Sequence, residues 1–263
     1  MKLAKTALAA LAAIGMAGTV WAAEPAKKMN ILCVCAHPDD AELNCGGTLL
    51  KYRKQGHDIY IVLTTSGNTG SNVMTDVKEI ERVREAEMLA SAKTYDAKVR
   101  FLRADDERLF DTNEMRTKVL DAMRWANPDV IFTHCPTDES PDHWATSKIV
   151  RAMVLSLPGI NQQSSETPCT KKVSVFTWGP PRGLGYVPEV YVDITDELEP
   201  VCAAANLHES QKAWLRTFKS TPDLGANKRI VAAFFGLQSG YKYAEGFSAF
   251  RISGYMPDFK ILP

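Results

Sequence analysis

No sign of charge prevails in this chain. Across 263 residues Lys plus Arg number 31 and Asp plus Glu number 31, so the formal net charge is zero. A nucleic-acid partner usually demands a basic face, and this balance argues against one. The sequence lacks internal repeats and has no convincing linker, so a single domain over residues 23–263 is the simplest account. Beyond residue 22 no run is apolar enough to span a bilayer. Six cysteines are far too few for a disulfide scaffold. Cys33, Cys35 and Cys45 read as small buried apolar residues, and the sequence leaves open whether Cys169 and Cys202 pair. What is present is an ordinary globular mixture, 45% hydrophobic and 24% charged.

The first 22 residues read as an export signal. Lys2 and Lys5 precede an apolar run from Ala7 to Val20, and Val20-Trp21-Ala22 offers small residues where signal peptidase cuts. No cysteine follows that run, so a lipoprotein anchor is not indicated. The expectation is removal of residues 1–22, no stable membrane insertion afterwards, and a working place in the periplasm or outside the cell.

The remainder alternates strand and helix patterns. Residues 30–36 (NILCVCA) form a nearly continuous apolar run, as a strand buried on both faces requires. Helix patterns cover residues 42–55, 76–92, 113–126 and 144–156, and strand patterns cover 58–64, 99–102 and 129–134. This order predicts a Rossmann-like α/β fold, a mostly parallel sheet with helices on both faces. Later, residues 173–178 and 189–194 read as strands around a Gly/Pro loop, followed by helices over 196–217 and 224–238.

Chemistry-bearing residues gather behind two strands. Ala36-His37-Pro38-Asp39-Asp40 directly follows the first strand, at the carboxyl end where open α/β sheets bind ligands. His37 and Asp40 are three apart, so a turn brings both to one point, and an imidazole with a carboxylate suits Zn²⁺. Asp39 beside them can take a proton from metal-bound water. Asp138-Glu139-Ser140-Pro141-Asp142-His143 follows the fourth strand. In a sheet of order 3-2-1-4-5 the first and fourth strands are neighbours, so His143 can supply a third ligand and Asp142 can accept a hydrogen bond from a ligand or substrate. Taken alone, each motif has a plainer reading: Asp39 or Asp40 as a helix N-cap, and Asp142-His143 as a solvated loop pair.

Together with Glu42, Gly46-Gly47-Thr48-Leu49, Thr64-Thr65-Ser66-Gly67, Arg84-x-x-Glu87, Asp106-x-x-Leu109, Val192-Asp193-Ile194-Thr195, His208-x-Ser210-Gln211 and Tyr243-Ala244-Glu245-Gly246-Phe247, these motifs resemble the PIG-L/LmbE-like zinc-dependent N-acetylglucosaminyl deacetylases. The resemblance implies hydrolysis of the acetamido group of an N-acetylated amino sugar, on a small molecule or oligosaccharide. It implies His37, Asp40 and His143 as ligands to zinc, or to iron in the cell. Asp39 would be the general base, with Ser140 and Asp142 in the catalytic group. Arg84, Asp106 and His208 would contact substrate. A plainer reading of Arg84 pairs it with Glu87 on a solvated helix face, and His208 reads equally as a satisfied helix histidine. The oligomeric state, a homo-oligomer included, stays open.

One position departs from that family. Its second motif commonly carries His-x-Asp-His, and here the first of these is Ser140. A hydroxyl donates a hydrogen bond without positive charge, and losing one oxyanion donor costs roughly 10²–10³ in rate. His134 either stands in or packs at its strand end. Two other readings therefore remain: a zinc hydrolase of another amide or ester, and a degenerate member that binds sugar and metal without turnover. Trp178, Tyr186 and Trp214 are candidates for stacking on sugar, with core packing the alternative.

Overall fold

The computed structural model describes residues 27–217, 221–252 and 256–263. The expected export signal, residues 1–22, lies outside them. The chain runs β1 (Asn30–Cys35), α1 (Asp40–Lys54), β2 (Asp58–Thr65), α2 (Val77–Ala92), β3 (Lys98–Ala104), α3 (Asn113–Ala126), β4 (Val130–His134), α4 (Pro141–Val154), β5 (Ser174–Trp178), β6 (Val190–Asp193), α5 (Leu198–Ala205), α6 (Glu209–Thr217), α7 (Leu224–Ser239) and β7 (Ala244–Ala249). The strands order as β3-β2-β1-β4-β5-β7-β6. The first five are parallel, while β7 runs antiparallel to both β5 and β6. Among the described residues, no helix is long and apolar enough to cross a membrane.

The period-2 alternation of β1 explains the layering. Ile31, Cys33 and Cys35 pack into one core with α1, α2 and α5. Leu32 and Val34 face the opposite core, filled from α3 and α4. A strand buried on both sides needs apolar residues at every position, which is what residues 31–35 supply. All six cysteines are buried and free, and Cys33 Sγ lies 3.5 Å from both Cys35 Sγ and Cys45 Sγ.

Two expectations need correction. The helix pattern over 196–217 is two helices, broken at Asn206–His208, where the Asn206 side-chain oxygen accepts the Gly225 backbone N–H at 2.9 Å. The strand β7 was not foreseen. It reaches the sheet from beyond α7 and carries Glu245 into the core, where Gly47 N and Thr48 N of α1 donate to its carboxylate at 2.8 Å each. Lys228 of α7 is buried with Glu245 and pairs with it.

This clamp draws α1 against the turn after β6. A Cβ added at Gly47 would sit 2.5 Å from Ile194 Cγ2. Gly47→Ala is therefore an overpacking change, expected to cost about 1–3 kcal/mol. Urea unfolding checks this, and an unchanged midpoint would contradict the close approach.

The register carries the functional consequence. Val34 of β1 lies opposite Thr133 of β4, so the two strands end side by side and the loops after them meet. Strand order reverses at this point, where open α/β sheets form their ligand crevice.

Candidate functional site

The chain leaves β1 through His37-Pro38-Asp39-Asp40 and enters α1. Asp39 occupies the N-cap position but makes no capping bond, and its φ of 108° is in the left-handed region that non-glycine residues seldom adopt. Asp40 does not cap either, since its Oδ2 accepts the His37 backbone N–H at 2.8 Å. The capping alternative therefore fails for both carboxylates. Strain of this kind persists only where the surroundings enforce it.

Arg84 of α2 provides that enforcement. Its buried guanidinium donates to Pro38 O at 2.8 Å and Gly67 O at 3.0 Å, and lies 3.4 Å from Asp39 Oδ2. It does not pair with Glu87 on a solvated face: Glu87 accepts from Ser210 N and Oγ instead. A Cβ at Gly67 would meet Arg84 Nη1 at 2.4 Å, which is why glycine stands there.

Behind β4 the chain turns through residues 135–140 into α4. Asp138 Oδ1 accepts the Ser140 backbone N–H at 3.0 Å and faces His143 Nδ1 at the same distance. This sets the ring of His143 against His37, with His37 Nδ1 and His143 Nε2 3.2 Å apart. Asp40 Oδ2 is 3.6 Å from His37 Nδ1, and Asp40 Oδ1 is 3.5 Å from His143 Nε2. The structure thus brings His37, Asp40 and His143 together, with ligand atoms that all lie within 4.8 Å of one another.

The far nitrogen of each imidazole meets a carboxylate. His37 Nε2 lies 2.9 Å from Asp106 Oδ1 and 3.2 Å from Asp142 Oδ2, while His143 Nδ1 has Asp138. Asp142 is held in turn by the backbone N–H groups of Glu107 at 2.6 Å and Leu109 at 3.1 Å. Two imidazoles and a carboxylate converging, with a carboxylate on the outer nitrogen of each ring, is a donor set that fits a divalent cation such as zinc.

The electrostatics follow from crowding. Burial opposes a charge on His37, yet Asp106, Asp142 and Asp40 together push its pKa well above the usual histidine range. Burial would raise Asp40, but His143 and His134 beside it hold its carboxyl well below the usual range. Burial pushes Asp39 up to about 6, assisted by the Asp40 charge and opposed by Arg84. Burial and the neighbouring His143 push His134 down to about 4.

A cleft of about 520 Å³ opens over these groups. His37, Asp39, Asp40, His143, Ser140 and Asp106 line it, and Arg84 contributes to its floor. Asp142 is buried beneath and touches the cleft-lining residues His37 and Glu107. His208 does not reach it: the ring is fully buried with Nε2 3.6 Å from Glu42 Oε1, so no direct contact with a ligand is open to it. Of the three aromatic candidates only Trp214 lines the cleft. Trp178 is buried against His134, and the Tyr186 hydroxyl donates to Thr177 O at 2.8 Å. Sequence reasoning did not single out Arg182, Glu107, Glu139, Gln211 or Asn227, which also line the cleft. Glu139 and Gln211 stood inside quoted motifs without a role of their own, and the convergence of all five from separate loops and helices is visible only in three dimensions. Asp138 lay inside a motif already noted, two residues before Ser140, but nothing in the sequence told which side chain it would support.

A family model described as GlcNAc-PI de-N-acetylase, PIG-L, matches residues 32–154, the segment from β1 to the end of α4 that carries both turns. Diacetylchitobiose deacetylase of Thermococcus kodakarensis is 26% identical over 237 residues, covering 82% of this chain and 81% of that protein. An Escherichia coli K12 protein described as uncharacterized deacetylase YaiS is 28% identical over 190 residues, covering 70% and 92%. The solved structure of N,N'-diacetylchitobiose deacetylase from Pyrococcus horikoshii, complexed with an inhibitor, superimposes with a TM-score of 0.72 at 25% identity, covering 84% of this chain and 83% of that one. Motifs, sheet order and these likenesses agree: residues 32–154 match the PIG-L model, and the chain is homologous to diacetylchitobiose deacetylase and other LmbE-like deacetylases.

Proposed function

We propose that this chain is an exported metal-dependent hydrolase that removes the acetyl group from an N-acetylated amino sugar of the N-acetylglucosamine type. The observation that carries the reading is the convergence of His37, Asp40 and His143 at one end of the cleft, with Asp39 beside them. The PIG-L match and the deacetylase relatives support the reaction class. The leader pattern in residues 1–22 supports export to the periplasm or beyond, where glycan fragments of an envelope are natural substrates.

His37, Asp40 and His143 would hold zinc, or iron in the cell. When bound, the cation supplies Lewis acidity at the acetamide carbonyl and lowers the pKa of water. Asp39 accepts a proton from water as a C–O bond forms at the acetamide carbon. The C–N bond then breaks as that proton is delivered to nitrogen, giving acetate and a free amine. Arg84 positions Asp39 through Pro38, while Asp106 and Asp142 fix the ring of His37. Asp106 and Trp214, which line the cleft, would contact sugar.

Ser140 favours a second reading, a member that binds metal and saccharide without turnover. It lines the cleft and its hydroxyl oxygen accepts no capping bond, so the hydroxyl is available to donate to an oxyanion, but without charge. Amine release from a panel of N-acetylated sugars, with and without chelator, separates the readings. Chelator-sensitive release is expected. Zinc and saccharide binding without release would establish the second reading, and chelator-insensitive release would remove the metal mechanism. Ser140→His is expected to raise kcat roughly tenfold or more by adding a stronger oxyanion donor. An unchanged or lower kcat in the zinc-loaded variant would count against an oxyanion role for this position.

A further inference from the structure

His134 touches the proposed ligands without being one of the three and without lining the cleft. It is fully buried at the end of β4 and stacks on His143, with centroids 4.0 Å apart and planes at 22°. Its Nε2 lies 3.3 Å from Asp40 Oδ2. Two donors converge on the same ring. The Trp178 indole Nε1–H points at Nδ1 from 3.2 Å, and the Ala36 backbone N–H points at Nε2 from 3.0 Å. Indole and amide N–H groups only donate. A doubly protonated ring would leave both facing another donor, so the ring is neutral.

A neutral imidazole accepts at one nitrogen only. With the proton on Nδ1, the Ala36 amide is satisfied, but Nδ1–H and the indole N–H oppose each other and Asp40 loses a donor. With the proton on Nε2, the indole is satisfied and the ring proton lies beside the Asp40 carboxylate, 3.3 Å from Nε2, while the Ala36 amide is left unmatched. Each buried donor left unmatched keeps the full penalty of its desolvation. The second arrangement keeps the indole bond and sets the ring proton beside a carboxylate and not against another N–H, so charge favours it.

We propose that His134, its tautomer set by Trp178, is a positioning residue that holds Asp40 and His143 in ligating geometry and takes no part in proton transfer to substrate. This rests on the reading of His37, Asp40 and His143 as a metal site. It answers what His134 does in a chain with serine at position 140: the ring supports the ligands from behind and does not replace the absent imidazole.

The full-length chain labelled with ¹⁵N-histidine tests the tautomer. The sequence has five histidines, so long-range ¹H–¹⁵N spectra are resolvable, and the missing signal in His134→Gln identifies the ring. Protonated Nε2 with an unprotonated Nδ1 is expected, in zinc-loaded and chelated protein alike. A protonated Nδ1 in either state overturns the proposal. Zinc affinity from competition with a chromophoric chelator gives the second readout. His134→Leu is expected to weaken zinc binding roughly 10–100-fold, whereas His134→Gln, whose amide N–H can reach Asp40, retains most of it. Equal weakening in both variants would mean packing alone and would overturn the donor role. If His134→Leu does not fold, Trp178→Phe takes its place: it keeps an aromatic ring, removes the indole donor, and is expected to admit the other tautomer and weaken zinc binding. An unchanged tautomer and affinity there overturns the part assigned to Trp178. Neither readout uses turnover, so failure here is distinct from failure of the deacetylase reading, which would show as bound zinc with no amine released.

Discussion

Asp39→Asn is expected to keep its metal and to lower amine release by roughly 10²–10⁴-fold, the range for loss of a general base. Asparagine is the informative replacement because it tolerates a positive φ better than alanine does, and the backbone at this position sits at 108°. The substitution also keeps an oxygen within reach of the Arg84 guanidinium, which lies 3.4 Å from Asp39 Oδ2. Folding and the ligand set should therefore survive while the proton acceptor is lost. Metal content by atomic absorption and turnover at saturating sugar are the two measurements. A variant with stoichiometric zinc and undiminished turnover would refute the base assignment.

His143→Ala removes a proposed ligand outright. It also strips the imidazole from Asp138, whose fully buried side chain is left with the Ser140 backbone N–H. Zinc affinity is expected to fall by more than roughly 100-fold, with amine release lost in parallel. His57→Ala is the matched control. His57 precedes β2 at the opposite end of the sheet, where its Nδ1 accepts the Met29 backbone N–H at 3.1 Å. That variant should bind zinc as the unaltered chain does. Wild-type zinc affinity in His143→Ala would sink the ligand set, whatever happened to activity.

The site was legible where local sequence and topology coincide. A β-α-β order fixes parallel strands, and the neighbouring places of β1 and β4 follow from that order, so residues 106 apart in sequence could be expected at one point. The spacing of His37 and Asp40 within one turn needed no more than local geometry. What the sequence hid was of two kinds. The break between α5 and α6 at Asn206 is set by a hydrogen bond to Gly225 on another helix, which no window of periodicity contains. The partnership of His134 with Trp178 depends on β4–β5 register, where the two residues lie opposite each other. Arg84 was noticed, but the plainer solvated reading failed because its face of α2 turns inward onto the turn after β1. His208 was expected at the substrate and is fully buried beside Glu42, at the turn between α5 and α6.

The backbone of Asp39 sets the interests of folding and of turnover against each other. Glycine at that position would relieve the left-handed conformation, a gain of up to about 1 kcal/mol. The same change deletes the carboxylate. A library of this protein sorted only for heat resistance would therefore enrich inactive clones at residue 39, and directed evolution toward robustness has to be screened on both properties at once.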